Sequence, residues 1–313
     1  MGPEDQSEAR DLFLRATQAD PSYARAWSGL SSAWSAAAVN GRVPWAEGAA
    51  RAEAAARRAL ALDSLEGTAW ANLGLLATLS QRSLAAGAPY FERALQAEPG
   101  NPEIHMVRGT LLRYARTWDE ARDAERTARA LDPLSAFYAE REAHTALCRG
   151  RAAEALPLYQ AQVELNPRLR SGLSAWPARW HGSGRWDEAI AELRTLARSM
   201  GDTATATSCP APAARTVTGP SAPRGEALLQ RRLRAAERGW VAHYLIEVAQ
   251  VGAGHIEEGM AGLEAEVAAG SRMVYKLPCN PEIDEVRDTP RFQRLLERAA
   301  WPAARFAPAT ASR

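Results

Sequence analysis

His144 and Cys148 are the pair in this chain whose types and spacing most resemble metal chemistry. They stand four residues apart on a predicted helix, so both side chains face the same side. A tetrahedral zinc site needs three or four such ligands, and no third one follows at a suitable spacing. Cys148, Cys209 and Cys279 are widely separated and odd in number, which reads as neither a disulfide framework nor a zinc cluster. His105, His181, His243 and His255 are isolated along the chain. No phosphate-binding glycine loop, nucleophile elbow, HExxH or CxxC is present. The carboxylates gather instead at the starts of predicted helices, as Asp119 and Glu120 do, where they complement the helix dipole. The expectation is a chain with no catalytic residues, no metal and no cofactor.

The elements that carry these residues repeat. Pro99, Pro133 and Pro167 lie 34 residues apart, and so do Ala121, Ala155 and Ala189. Each proline closes an apolar helical run (RALQAEP, ARALDP, QVELNP), because its ring fixes φ and it has no N–H to donate. Midway through each interval a turn restarts a helix, at ARTWDEA, RGRAAEA and SGRWDEA. Each interval therefore reads as a helical hairpin, with an A helix followed by a B helix. The small Ala121 lets the two helices approach, and a larger side chain there would overpack the crossing by roughly 1–3 kcal/mol. The pattern predicts helices near 102–115, 118–130, 136–148, 152–165, 170–182 and 186–199.

Charge and composition narrow the function. The formal net charge is +1, which argues against direct binding to nucleic acid or to an anionic membrane surface. Lys276 is the only lysine, and the many arginines are scattered among carboxylates. The acidic start MGPEDQSEARD does not read as a secretory signal. The most apolar stretch, Trp240 to Val251, is too short to span a bilayer. A cytoplasmic location is the expectation.

The phased residues resemble the tetratricopeptide repeat (TPR) family. They are Trp27, Leu30, Trp70, Leu73 and Gly74 in A helices, with Ala121, Ala155, Ala189 and the pairs Ala59-Leu60 and Ala94-Leu95 in B helices. The resemblance implies an all-α, right-handed α-α superhelix that binds other proteins or peptide segments in a concave groove lined by A helices. Residues 1–202 read as the repeat array, with an incomplete first repeat at 4–21, an extended one at 24–63 and regular repeats to 200. Residues 203–223 are rich in Ala, Thr and Pro and read as an irregular segment, either a linker or a repeat that lost its first helix. Residues 224–313 read as degenerate repeats with a closing segment, and Gly225–Glu237 as a surviving B helix. The extended repeat and the tail DTPRFQRLL also resemble the region that follows the effector domain in bacterial signalling proteins. That resemblance implies a docking or sensory module of a bacterial signalling system. The alternative is a detached regulatory region of a DNA-binding regulator, cyclase or kinase whose effector lies upstream.

The A-helix positions turned away from the hairpin core are the groove candidates: Glu103, Met106, Thr110 and Arg113, then Phe137, Glu140, His144 and Cys148, then Ser171, Ser174, Ala178 and His181. Residues 4–18 read as a B helix with no A helix before it. Its stripe of Ala9, Phe13 and Ala16 would stay open and could serve oligomerisation. Arg108 and Glu142 are 34 apart and put opposite charges where the family pattern has an apolar residue. Two such departures at one seam predict an ion pair between neighbouring A helices.

Overall fold

In the computed structural model, residues 3–149, 151–165, 222–238, 243–269 and, within 271–299, Ser271, Leu277, Asn280, Ile283 and 286–299 are described. These residues form helices and turns, with no strand among them. The first nine helices are α1 (Pro3–Ala19), α2 (Ala24–Val39), α3 (Trp45–Leu62), α4 (Gly67–Gln81), α5 (Leu84–Ala97), α6 (Pro102–Tyr114), α7 (Trp118–Leu131), α8 (Ala136–Cys148) and α9 (Ala152–Leu165). Four more follow: α10 (Ala222–Arg238), α11 (His243–Gly252), α12 (Ile256–Ala268) and α13 (Pro290–Ala299). The expected helices within 102–165 all form, with ends within a residue of the reading. Those expected at 170–182 and 186–199, and the irregular segment up to residue 221, lie outside the described residues.

Local chemistry sets the hairpins. Asn101 caps α6 by accepting the Glu103 N–H at 2.9 Å, with Pro102 at the first helical position, where no N–H is missed. A helices end on the same closing bond: Ser83 N–H to the Thr78 carbonyl, Thr117 N–H to Leu112, Arg151 N–H to Ala146. Donors and acceptors each recur every 34 residues. Arg82 and Arg116 take left-handed backbone at two of these turns, with φ of 51° and 62°.

Each A helix packs on its own B helix, in the pairs α2–α3, α4–α5, α6–α7 and α8–α9. The crossing depends on missing side-chain volume. A Cβ on Gly87 would lie 1.9 Å from Thr78 Oγ1 and 2.7 Å from the Gly74 carbonyl oxygen. Ala121, 34 residues on, is fully buried at the same crossing in the next hairpin. The A helices also pack on one another, α2 on α4, α4 on α6 and α6 on α8, and this curves the array with the A helices inside. The extended repeat is absorbed by longer helices, 16 and 18 residues in α2 and α3.

Helix α1 is less open than the sequence implies. It packs on α2, and the Phe13 ring lies over Gly29, where a Cβ would meet it. Leu12, Phe13 and Leu14 nonetheless stay substantially exposed.

In the C-terminal part, α11 and α12 form a further hairpin, flanked by α10 and α13. Phe292, Leu295 and Leu296 of the closing segment enter a core with Tyr244, Val248, Met260 and Leu263. Arg291 reaches Glu264 at 2.7 Å and Glu257 at 2.8 Å, which ties α13 to α12. Helix α10 begins at Ala222, three residues before the expected start. Residues 222 and 223 therefore belong to a helix and not to the irregular segment. Pro223 is accommodated because it sits in the first turn, where its missing N–H costs nothing.

Candidate functional site

The inner face is built where successive A helices meet, and a polar ladder crosses it. Asn72 on α4 donates to Ser32 Oγ at 2.9 Å and to the Ser28 carbonyl at 3.4 Å, both on α2. Ser32 donates in turn to Glu103 Oε1 on α6 at 3.2 Å. At the head of the ladder, Glu98 accepts the Gly67 N–H at 2.9 Å and an amide proton of Asn101, which also reaches Thr68 Oγ1. Three consecutive A helices are thus joined by side chains that are polar but enclosed.

Carboxyl groups on this face are enclosed and lie close to one another. Burial, more than anything else, pushes the Glu103 carboxyl above its usual range, and the neighbouring Glu98 adds to it. Burial followed by the Glu98 charge raises Glu66 in the same way. On α8 the Tyr138 phenol is pushed up to about 12 by burial, with the Glu103 charge contributing.

The expected groove residues divide. Glu103 lies in the ladder, and Met106 and Thr110 follow it on α6, with Thr110 Oγ1 3.7 Å from Met106 Sδ. Phe137 is partly exposed, makes an edge contact with Tyr138 at 5.6 Å and carries the Arg141 guanidinium 4.9 Å from its centroid. Glu140 pairs with Arg141 at 3.4 Å, and His144 is half-buried one turn further on. His181, Ser171, Ser174 and Ala178 lie outside the described residues.

Arg113 does not belong to the groove. Its side chain is fully buried between α6, α7 and α8, where Nη1 donates to Glu125 Oε1 at 2.8 Å and to Thr145 Oγ1 at 3.0 Å. It follows Gly109 by four residues, so it shares the helix face that Gly109 turns toward α7, not the open one. The Arg108–Glu142 pairing is corrected as well. Glu142 is held by Arg126 at 3.0 Å and Arg129 at 2.9 Å, both on α7. The carboxylate acting on the partly buried Arg108 is Glu120. Each charge is met by the B helix beside it, which lies nearer than the equivalent position one repeat away. A correction also applies at Cys148, which is disulfide-bonded although the cysteine spacing reads as no disulfide framework.

The buried Glu125 is the signal the sequence reading passed over. Phe91, Glu125 and Tyr159 are 34 apart and all fully buried, so a carboxylate occupies a position otherwise aromatic. Among the described residues no group of three or more His, Cys, Asp or Glu is placed to hold a metal, and no helix is long and apolar enough to cross a membrane.

No protein-family model matches the chain, and no curated protein matches it. Solved structures do. The human IFIT1 dimer with PPP-AAAA is 15% identical, with a TM-score of 0.50 over 96% of this chain and 70% of that one. Yeast Tom70 is 15% identical, at 0.45 over 94% and 62%. YrrB, described as a TPR protein with an unusual peptide-binding site, is 20% identical, at 0.39 over 64% and 97%. Likeness at this level of identity speaks to fold alone, and the fold is an all-α, TPR-like α-α superhelix.

Proposed function

We propose that this chain is a non-catalytic protein-interaction scaffold whose concave face holds an extended or helical segment of another protein. The observation that carries this reading is the continuous inner face from Ser32 through Asn72 and Glu103 to Tyr138 and Phe137, built by four successive A helices. Its enclosed ladder fixes the spacing of those helices before any partner arrives, which lowers the ordering cost of binding. The half-exposed aromatic Phe137 supplies an apolar anchor of the kind that concentrates binding energy. Glu103 and Glu140 place carboxyl groups along this face, and Arg113 is spent inside the hairpin. The favoured segment is therefore one that brings a cationic side chain to Glu103. A docking or sensory role within a bacterial signalling system is the setting we propose for it, on the resemblance of the extended repeat and the closing tail.

Photo-crosslinking tests the assignment. A benzophenone side chain at position 137 should trap a defined partner in cells of the native host. The same group at Arg57, on the exposed side of α3, should not. Equal trapping at both positions, or at neither, would contradict the groove reading.

A further inference from the structure

A second candidate site lies on the side of the array that carries the B helices. A cavity of about 300 Å3 opens between α7, α8 and α9, and four arginines line it: Arg122, Arg126, Arg129 and Arg149. The first three recur along one face of α7 at spacings of four and three residues, and Arg149 comes from the end of α8. Trp118 and Leu158 give the cavity an apolar wall. Its volume is at the small end of the range for ligand pockets, roughly 300–1,000 Å3.

The carboxylates around it do not use up these donors. Glu142, buried in the lining, accepts from Arg126 Nε at 3.0 Å and forms an ion pair with Arg129 Nε at 2.9 Å, its Oε2 accepting no hydrogen bond. Asp119 holds Arg149 at 2.6 Å and Arg122 more loosely at 3.4 Å, and it does so from an exposed position. Arg122 Nε is enclosed and has no hydrogen-bond partner, with the Asp123 carboxylate 3.8 Å away. Glu154, the remaining charge in the lining, is bound to Arg151 at 2.9 Å. An enclosed guanidinium donor without a partner is costly unless something accepts from it.

We propose that this cavity binds the oxyanion of a small molecule, a phosphate or carboxylate carried on a flat or apolar body. The anion accepts from Arg122 and from the terminal amino groups of Arg126 and Arg129, in the forked geometry that guanidinium favours. The body lies against Trp118 and Leu158. Asp119 competes with the anion for Arg122 and Arg149.

The test is isothermal titration of the full chain at low ionic strength with inorganic phosphate, phenyl phosphate and benzoate. Phenyl phosphate or benzoate should bind saturably, whichever is tighter identifying the head group, and inorganic phosphate more weakly than phenyl phosphate. Arg122→Gln should weaken binding by about tenfold, as expected on losing a charge-assisted hydrogen bond. Asp119→Asn, which removes an exposed competitor, should strengthen it. Circular dichroism of both variants confirms that the fold is kept. No saturable binding of either organic anion, or affinities unchanged in both variants, would overturn the site. Inorganic phosphate binding as tightly as phenyl phosphate would overturn the role of the apolar wall.

Discussion

Arg113 and Glu125 form an ion pair at 2.8 Å with both side chains wholly removed from solvent. The residues 34 positions before and after Glu125 are Phe91 and Tyr159, and those flanking Arg113 are Leu79 and Leu147. One hairpin has thus exchanged an apolar contact for a charged one at the same place in the fold. Burial pushes the Glu125 carboxyl up, and Arg113 works against that shift. Arg113 also reaches Thr145 on α8, so the pair joins two repeats.

Breaking the pair should cost far more than replacing it. Arg113→Leu or Glu125→Phe alone strands a buried charge and should destabilise by about 3–5 kcal/mol. The double substitution restores the neighbours' chemistry and should be neutral or stabilising by up to ~4 kcal/mol. Urea unfolding of the three variants measures this, and additive losses in the double variant would contradict it.

The crossing of α4 and α5 gives a second test. Gly87→Ala adds a methyl group that meets Thr78 Oγ1 and the Gly74 backbone carbonyl. Since backbone cannot move aside cheaply, the loss should be roughly 1–3 kcal/mol. The reverse change at the matching position, Ala121→Gly, leaves no clash and should cost about 1 kcal/mol through helix propensity. Thermal denaturation separates the two.

What the sequence showed and what it hid follow from one fact. A period of 34 fixes where each residue falls along its helix, so Pro99, Ala121 and the turn at Arg116 are legible from spacing alone. It does not fix which way a side chain turns when its chemistry departs from the repeat. Arg113 reads as a groove residue from its A-helix position, yet its side chain turns inward to Glu125 on the B helix. Glu142 found Arg126 and Arg129 for the same reason: the adjacent B helix lies closer than the next repeat's equivalent position. The ladder joins Asn72 to Ser32 and Ser32 to Glu103, 40 and 71 residues apart, which no single period marks.

Acid should affect the inner face in a definite direction. Glu66 and Glu103 have raised folded-state values, so the stability linked to them is full below the ordinary glutamate range and is lost as pH rises through their folded values. Lowering the pH through those folded values should therefore relieve strain at this face. Glu103→Gln should flatten that dependence. Asp119 and Glu264, lowered chiefly by hydrogen bonds from Arg149 and Arg291, act in the opposite sense, and stability is lost as pH falls through their folded values. Unfolding midpoints followed from neutral pH to below the ordinary carboxylate range check both signs.

The central claim is that the inner face of α2, α4, α6 and α8 holds a protein segment. Quantitative co-purification from the native host tests it most directly, comparing the wild-type chain, Phe137→Ala with Glu140→Ala, and Arg57→Ala as the outer-face control. A set of proteins should be retained by the wild type and by Arg57→Ala. It should fall by about tenfold with the double variant, the loss expected when an anchor is truncated. Equal retention by all three would contradict the account.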